Sequence, residues 1–309
     1  MRASFADIAG VQTRFFQHGE GDYGVVLIHG VGVGADSWLW NLEALGQGRT
    51  AVAPDLLGYG LTGEGSYREG PPHESMVEHL TALVDQLGLR RLCLVGSSFG
   101  ANIACHLALR LGARMDRLVL VGCGPALNSP PFLHAMYQQS LANGIAALAD
   151  PTLERCERRM RNLVFDPASI PPALPLIQLT LYGLPETRDR YERRIRGIMS
   201  MEALMHYDVT SRLHEIAAPT LVIWGRQDIR GELKEAERHA ARLPRGKMLV
   251  WEECGHLPYL EKPAQFNAVV DAFIREPEPS SSKTTARSLS SGPWPRASTR
   301  TRSDRRSGR

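Results

Sequence analysis

The chain has 309 residues, 43% hydrophobic and 22% charged, and a formal net charge of +3. These values are ordinary for a soluble globular protein and leave ample length for a large buried core. The positive excess is local. From Glu276 to Arg309, Lys283 and seven arginines face three acidic residues, a balance of +5 that leaves −2 for Met1 to Arg275, so the folded part offers no electrostatic reason to expect nucleic acid.

Taken in chain order, Met1 to Val11 holds a single Arg and no apolar run of signal-peptide length, and nowhere do eighteen apolar residues pass without a charge. A soluble, cytoplasmic protein is the expectation, with no membrane partner. The first buried strand is read at Val25 to Ile28, followed by a glycine-rich turn, His29-Gly30-Val31-Gly32-Val33-Gly34. Short apolar runs then recur at Ala51 to Ala53, Leu92 to Val95, Leu118 to Val121, Leu221 to Trp224 and Met248 to Trp251. Apolar residues on consecutive positions suit strands covered on both faces of a parallel sheet. Between them, Glu74 to Leu87 repeats apolar residues at three- and four-residue steps and stops at Gly88, and Ala101 to Leu111 and Ala264 to Ile274 carry similar stripes. This alternation predicts an α/β fold with helices on both sides of a mostly parallel sheet.

From Pro125 to Arg212 the alternation breaks, and prolines and dense Arg/Glu accompany helical patterns without a convincing strand. The expected organisation is therefore a core over 1–124 and 212–275, an inserted helical cap over 125–211, and a disordered basic Ser/Arg-rich tail over 276–309. Five scattered cysteines, with no C-x-x-C spacing, give no sign of a disulfide framework or a zinc site.

Chemistry concentrates after the strands. Gly96-Ser97-Ser98-Phe99-Gly100 follows Leu92 to Val95 and precedes a helix, the strand-turn-helix setting in which G-x-S-x-G presents a nucleophile. Ser98 at the head of a helix has N–H groups and a dipole that favour developing negative charge. The N–H groups of Phe99 and of Val31, in the earlier turn, are the two expected oxyanion-hole donors. A phosphate-binding reading of that turn fails, because neither G-x-G-x-x-G nor a P-loop Lys is present. A serine needs a base and the base an orienting acid. Asp228 and His256 both sit just past strands, in the order Ser…Asp…His, whereas His29 is read as structural, Asp55 as a loop support, and Asp116 and Asp208 as weaker acids.

These residues, together with Trp38, Pro54-Asp55-Leu56-Leu57-Gly58-Tyr59-Gly60, Trp224-Gly225-Arg226-Gln227-Asp228 and Gly255-His256-Leu257-Pro258, resemble the α/β-hydrolase superfamily from about Phe5 to Ile274. The resemblance implies an α/β-hydrolase fold, a serine-acid-histidine triad of Ser98, Asp228 and His256, no cofactor, and a cap that shapes the pocket for a small molecule. Within it, the glycine turn and the segment Met160 to Ile170 are similar to meta-cleavage-product hydrolases, which split carbon–carbon bonds in ring-fission products. The chain departs at Ser97, where many of those enzymes have Asn, at Leu257, where many have Trp, and at Leu179-Thr180-Leu181, where a cap Arg would meet the substrate's acidic end. Arg188 and Arg190 are the neighbours that would compensate, against a solvated helix face paired with Glu186 and Glu192. The expected reaction is hydrolysis of a small carboxylic ester or a vinylogous ketone, with a lyase or cofactor-free oxygenase on the same residues as the alternative. Epoxide hydrolysis and dehalogenation would want Asp at position 98. Self-association into a homo-oligomer is compatible with the sequence.

Overall fold

Every apolar run read as a strand lies in one sheet, because a segment apolar at consecutive positions can be covered only by helices on both faces. The structure, a computed structural model, describes residues 1–67 and 70–277. Among these, strands β1 (Arg2–Ile8), β2 (Val11–His18), β3 (Tyr23–Ile28), β4 (Thr50–Pro54), β5 (Arg91–Ser97), β6 (Met115–Val121), β7 (Thr220–Gly225) and β8 (Gly246–Trp251) pair in the order β1-β2-β4-β3-β5-β6-β7-β8. The strands from β4 to β8 in that order run parallel, and β1 and β2 form an antiparallel edge hairpin. That hairpin has no continuous apolar run: β1 is largely exposed, and the consecutive buried residues of β2 include Thr13 and Arg14.

The helices are α1 (Leu39–Leu45), α2 (His73–Gln86) and α3 (Phe99–Leu111); α4 (Gly124–Leu127), α5 (Pro130–Ala149), α6 (Leu153–Arg161), α7 (Ala173–Tyr182), α8 (Thr187–Met199) and α9 (Met201–His206) between β6 and β7; then α10 (Leu233–Ala240), α11 (Pro258–Glu261) and α12 (Pro263–Arg275). None of the described helices is long and apolar enough to cross a membrane. The expected tail falls outside the described residues apart from Glu276 and Pro277.

Adjacent residues of one strand serve opposite cores. Val26, Ile28, Leu94, Leu120 and Val222 pack with α2 and α3 through Met76, Leu80 and Ile103. Their neighbours Val25, Leu27, Val95, Val121 and Ile223 pack with Leu42 of α1 and with Phe266 and Val270 of α12. Each such side chain contributes about 1.5–3 kcal/mol by leaving water, so both faces pin the central strands and hence their carboxyl ends. All five cysteines are free and buried, and burial pushes Cys93 and Cys105 up to about 12, which makes them inert hydrophobes.

Buried neutral histidines add a pH liability. His79 bonds Thr13 Oγ1 at 2.8 Å through Nε2, and its Nδ1 is buried without a partner among the described residues. Burial lowers His79 to about 4 and, with His106 and His206 nearby, lowers His73 to about 3. The folded protein thus refuses protons that the unfolded chain accepts below the ordinary histidine value of about 6.5. Stability is expected to be full above that value and to fall as pH drops from about 6.5 towards 4, by up to about 1.4 kcal/mol per pH unit for each histidine. Denaturant midpoints across pH 4–7 check this, and His79→Asn should flatten the slope by close to one proton.

Candidate active site

At the end of β5 the chain makes a turn that only its sequence permits. Ser98 sits at φ 55° and ψ −121°, a strained region for a residue with a side chain, and its N–H is tied to Val121 O at 2.9 Å. The glycines on either side are there for space. A methyl on Gly96 would lie 2.7 Å from Ala101 Cα, and one on Gly100 would press into the carbonyls of Ile28 and His29. The flanking turn is equally close, since a methyl on Gly30 would stand 2.9 Å from Ser98 Cβ. Ser98 is thereby held, half-buried, at the N-cap of α3, facing the loop after β3.

That loop is fixed by His29. Its Nδ1 bonds Gly30 O at 2.8 Å, and Nε2 accepts from Leu56 N at 2.9 Å, so Nδ1 carries the proton. Burial lowers its pKa, and the ring stays neutral. Because the peptide is trans, fixing the Gly30 carbonyl from beneath turns the N–H of Val31 to the opposite side. Val31 and Phe99 both line the cavity that contains Ser98, and neither N–H takes a partner from the described residues. Asp55 supports the same region, accepting from Ala35 N at 2.9 Å, Leu61 N at 2.9 Å and Arg14 Nε at 2.6 Å.

Asp228 and His256 arrive from the loops after β7 and β8. These loops are stitched together by Gln227, whose N–H donates to Cys254 O at 3.0 Å and whose Oε1 accepts from Cys254 N at 3.0 Å. Glu261 braces the second loop and the cap together, accepting from Gly255 N at 2.9 Å and Phe165 N at 2.7 Å. The Asp228 carboxylate, fully buried, accepts from Arg230 N at 2.7 Å through Oδ1. Its Oδ2 stands 2.8 Å from His256 Nδ1. An ionised carboxylate only accepts, so Nδ1 is protonated and Nε2 is the basic nitrogen. His256 and Ser98 line one cavity, with no direct hydrogen bond between them. Cys254 is no rival nucleophile: burial, with the charge of Glu261 next, pushes its thiol up to about 12. Asp116 lies elsewhere, paired with Tyr23 and Arg91, and Asp208 caps Thr210.

The cavity holds about 850 Å3 of atom-free space, part of it open to solvent. Its wall includes Tyr137, Arg159, Asn162, Ile195, Met199, Arg230 and Leu257. The arginines expected to replace the missing cap Arg are elsewhere: Arg188 is exposed, and Arg190 pairs with Glu186 at 2.6 Å and Glu64 at 3.4 Å. Arg159 and Arg230 supply the cavity's cations instead. Both escaped sequence reasoning, yet each left a trace. Arg159 shares a helix face with the buried Cys156 and Met160, and Arg230 lies two residues beyond Asp228.

Comparison with known proteins identifies the family. The family model described as "Alpha/beta hydrolase family" matches residues 25–269. The chain belongs to the alpha/beta hydrolase family. It is 30% identical over 268 residues to the 2-hydroxy-6-oxononadienedioate/2-hydroxy-6-oxononatrienedioate hydrolase of Paraburkholderia xenovorans (strain LB400), covering 85% of this chain and 91% of that one. It is also 30% identical to the 2-hydroxymuconate semialdehyde hydrolase of Pseudomonas sp. (strain CF600), covering 87% and 92%. Among solved structures, the 2-hydroxy-6-oxo-6-phenylhexa-2,4-dienoate hydrolase from Rhodococcus sp. strain RHA1 superposes with a TM-score of 0.76 at 23% identity, covering 89% of this chain and 100% of that one. This alpha/beta hydrolase is thus similar along most of its described length to the named hydrolases.

The glycines give a sharp test. Gly100→Ala in the hydrolase should lose about 1–3 kcal/mol of stability through overpacking and most of its turnover. Gly183→Ala, where a methyl meets nothing closer than 3.4 Å, should change neither. Denaturation curves and initial rates on the two variants decide it.

Proposed function

We propose that the hydrolase cleaves a carbon–carbon bond in a small vinylogous ketone that bears a carboxylate, with Ser98 as nucleophile, His256 as general base and acid, and Asp228 as its orienting acid. One observation carries the substrate class: the cavity beside Ser98 is lined by two guanidiniums, Arg159 and Arg230, and by no acidic side chain among the described residues. A site that concentrates positive charge in a poorly solvated space selects an anion. The named relatives act on dienedioates and a muconate semialdehyde, which fits that reading. Action in the cytoplasm fits the five free, reduced thiols.

The chemistry follows from the geometry. His256 Nε2 first moves a proton on the dienol of the substrate to give the ketone. It then takes the proton of Ser98 as Oγ forms a bond to the carbonyl carbon, and the displaced electron pair collects on oxygen, facing the N–H groups of Val31 and Phe99. Collapse breaks the carbon–carbon bond. The leaving carbanion, delocalised over its enone, receives a proton from His256, and water releases the acyl group from Ser98 by the same proton route. Ester hydrolysis is the second reading, favoured by Leu257, where many meta-cleavage-product hydrolases have Trp, and by Leu179-Thr180-Leu181, where a cap Arg would be expected. A lyase or oxygenase on this fold is not favoured, since the relatives named are hydrolases.

Turnover of a ring-fission dienoate and of p-nitrophenyl butyrate, each by wild type and Ser98→Ala, tests the assignment. Ser98→Ala should lose at least about 1000-fold in kcat, and a fluorophosphonate should label wild type at Ser98. Arg230→Leu should raise KM for the anionic dienoate about tenfold or more and leave the neutral ester near its wild-type value. Equal rates for Ser98→Ala and wild type would exclude this site as the source of activity.

A further inference from the structure

The glycine turn is held from two sides, and only one of them belongs to the core. Below, His29 fixes the Gly30 carbonyl. Above, the carbonyl of Gly32 accepts from Arg159 Nη1 at 2.6 Å and from Gln178 Nε2 at 2.6 Å, with Tyr182 OH at 3.5 Å. These donors come from α6 and α7, the inserted helices. Gly32 lies at φ 78°, and a methyl there would coincide with the Arg159 guanidinium, so the cation rests directly on the turn. Arg159 has no carboxylate partner among the described residues; its remaining contacts are Val31 O at 3.5 Å and Tyr191 OH at 3.2 Å. Gln178 is buried, with its Nε2 also 3.2 Å from Tyr182 OH.

Two donors as close as 2.6 Å on one carbonyl, one of them charged, are more than the mere packing of a cap requires. Val31 stands between the two pinned carbonyls, so its backbone is set at both ends. We infer that Arg159 and Gln178 are positioning residues of the oxyanion hole: by holding the Gly32 carbonyl they fix the direction of the Val31 N–H, and the cap thereby completes the catalytic core. This rests on the reading of Ser98 and Val31 given above. Gln178 separates the clamp from substrate contact, because it lines a second cavity, with Tyr59, Leu181 and Tyr191, and not the one containing Ser98.

A donor that only aims the oxyanion hole acts on the transition state and leaves ground-state binding alone. Gln178→Leu should therefore lower kcat about tenfold with KM within twofold of wild type, slow fluorophosphonate labelling of Ser98 by a similar factor, and weaken an alkyl boronic acid to the same degree. Arg159→Met should lower kcat at least as far and, because Arg159 also lines the cavity of Ser98, raise KM for an anionic substrate as well, and Arg159→Lys, which keeps a donor and the charge, should recover most of the kcat. The double variant should fall short of the product of the singles, since both act on one carbonyl. A melting temperature within a few degrees of wild type for Gln178→Leu separates this from loss of fold. Unchanged kcat and labelling in Gln178→Leu, with Ser98→Ala inactive, would overturn the clamp alone. Full activity in Ser98→Ala would overturn the reading of the site and the clamp with it.

Discussion

Holding a serine at φ 55° requires that the surrounding backbone leave it no other choice. Here the N–H of Ser98 is captured by β6 through Val121 O, while α3 starts immediately and packs so close to β3 that Gly100 has the carbonyls of Ile28 and His29 where a side chain would be. The strain, of order 1–3 kcal/mol, is sustained by the central strands, whose alternating residues are buried in both cores. Loosening of that packing would let the turn relax and withdraw the hydroxyl from the cavity. The proposed catalytic arrangement is in this sense a property of the sheet, and the loops inherit it.

Three separate crossovers then bring charge and proton acceptors to the same rim. Parallel strands end on one edge, so the turns after β3, β5, β7 and β8 necessarily meet there. What the topology leaves undetermined is the aim of each group, and a polar side chain performs that work in every case: His29 on Gly30, Gln227 on Cys254, Asp228 on His256, Glu261 on Gly255. Such bonds are individually modest, about 0.5–1.5 kcal/mol, but a partner left unpaired in this setting is more expensive. That asymmetry keeps the aim fixed.

Much of this was legible in the residues themselves. Continuous apolar runs announce strands buried twice over, and Gly96 to Gly100 after such a run announces the sharp turn, because no other residue tolerates those contacts. Asp228 and His256 were legible through their place just past strands. The hairpin of β1 and β2 was not, since an edge strand with one wet face has no apolar run to betray it. Nor could the sequence choose among the cap arginines. Arg155, Arg158, Arg159 and Arg161 share one helix; Arg155, Arg158 and Arg161 pair with Asp150, Glu154 and Glu157 at the surface, and only Arg159 turns to the core. The face that a short helix presents depends on what it packs against, and that partner lies 127 residues away.

The cap meets the core in a way that repeats. Arg194 of α8, fully buried, donates to Gly58 O at 2.7 Å and to Glu64 Oε1 at 2.6 Å, and its guanidinium lies 5.8 Å from the Tyr59 ring and 5.5 Å from the Tyr67 ring. Like Arg159 on Gly32, it occupies the space above a glycine with positive φ. A glycine in that conformation exposes its carbonyl and offers no side chain in the way, which gives a flat guanidinium a seat. Arg194 has a carboxylate to neutralise it, as a buried charge ordinarily needs, so its joint is complete without a ligand. Arg159 has none among the described residues, and the phenols of its neighbours Tyr59 and Tyr182 have their pKa values raised, first of all by burial. Of two joints built on one plan, the one left with uncompensated charge is the one that borders the cavity of Ser98, and an anion bound there would supply the missing half of the pair.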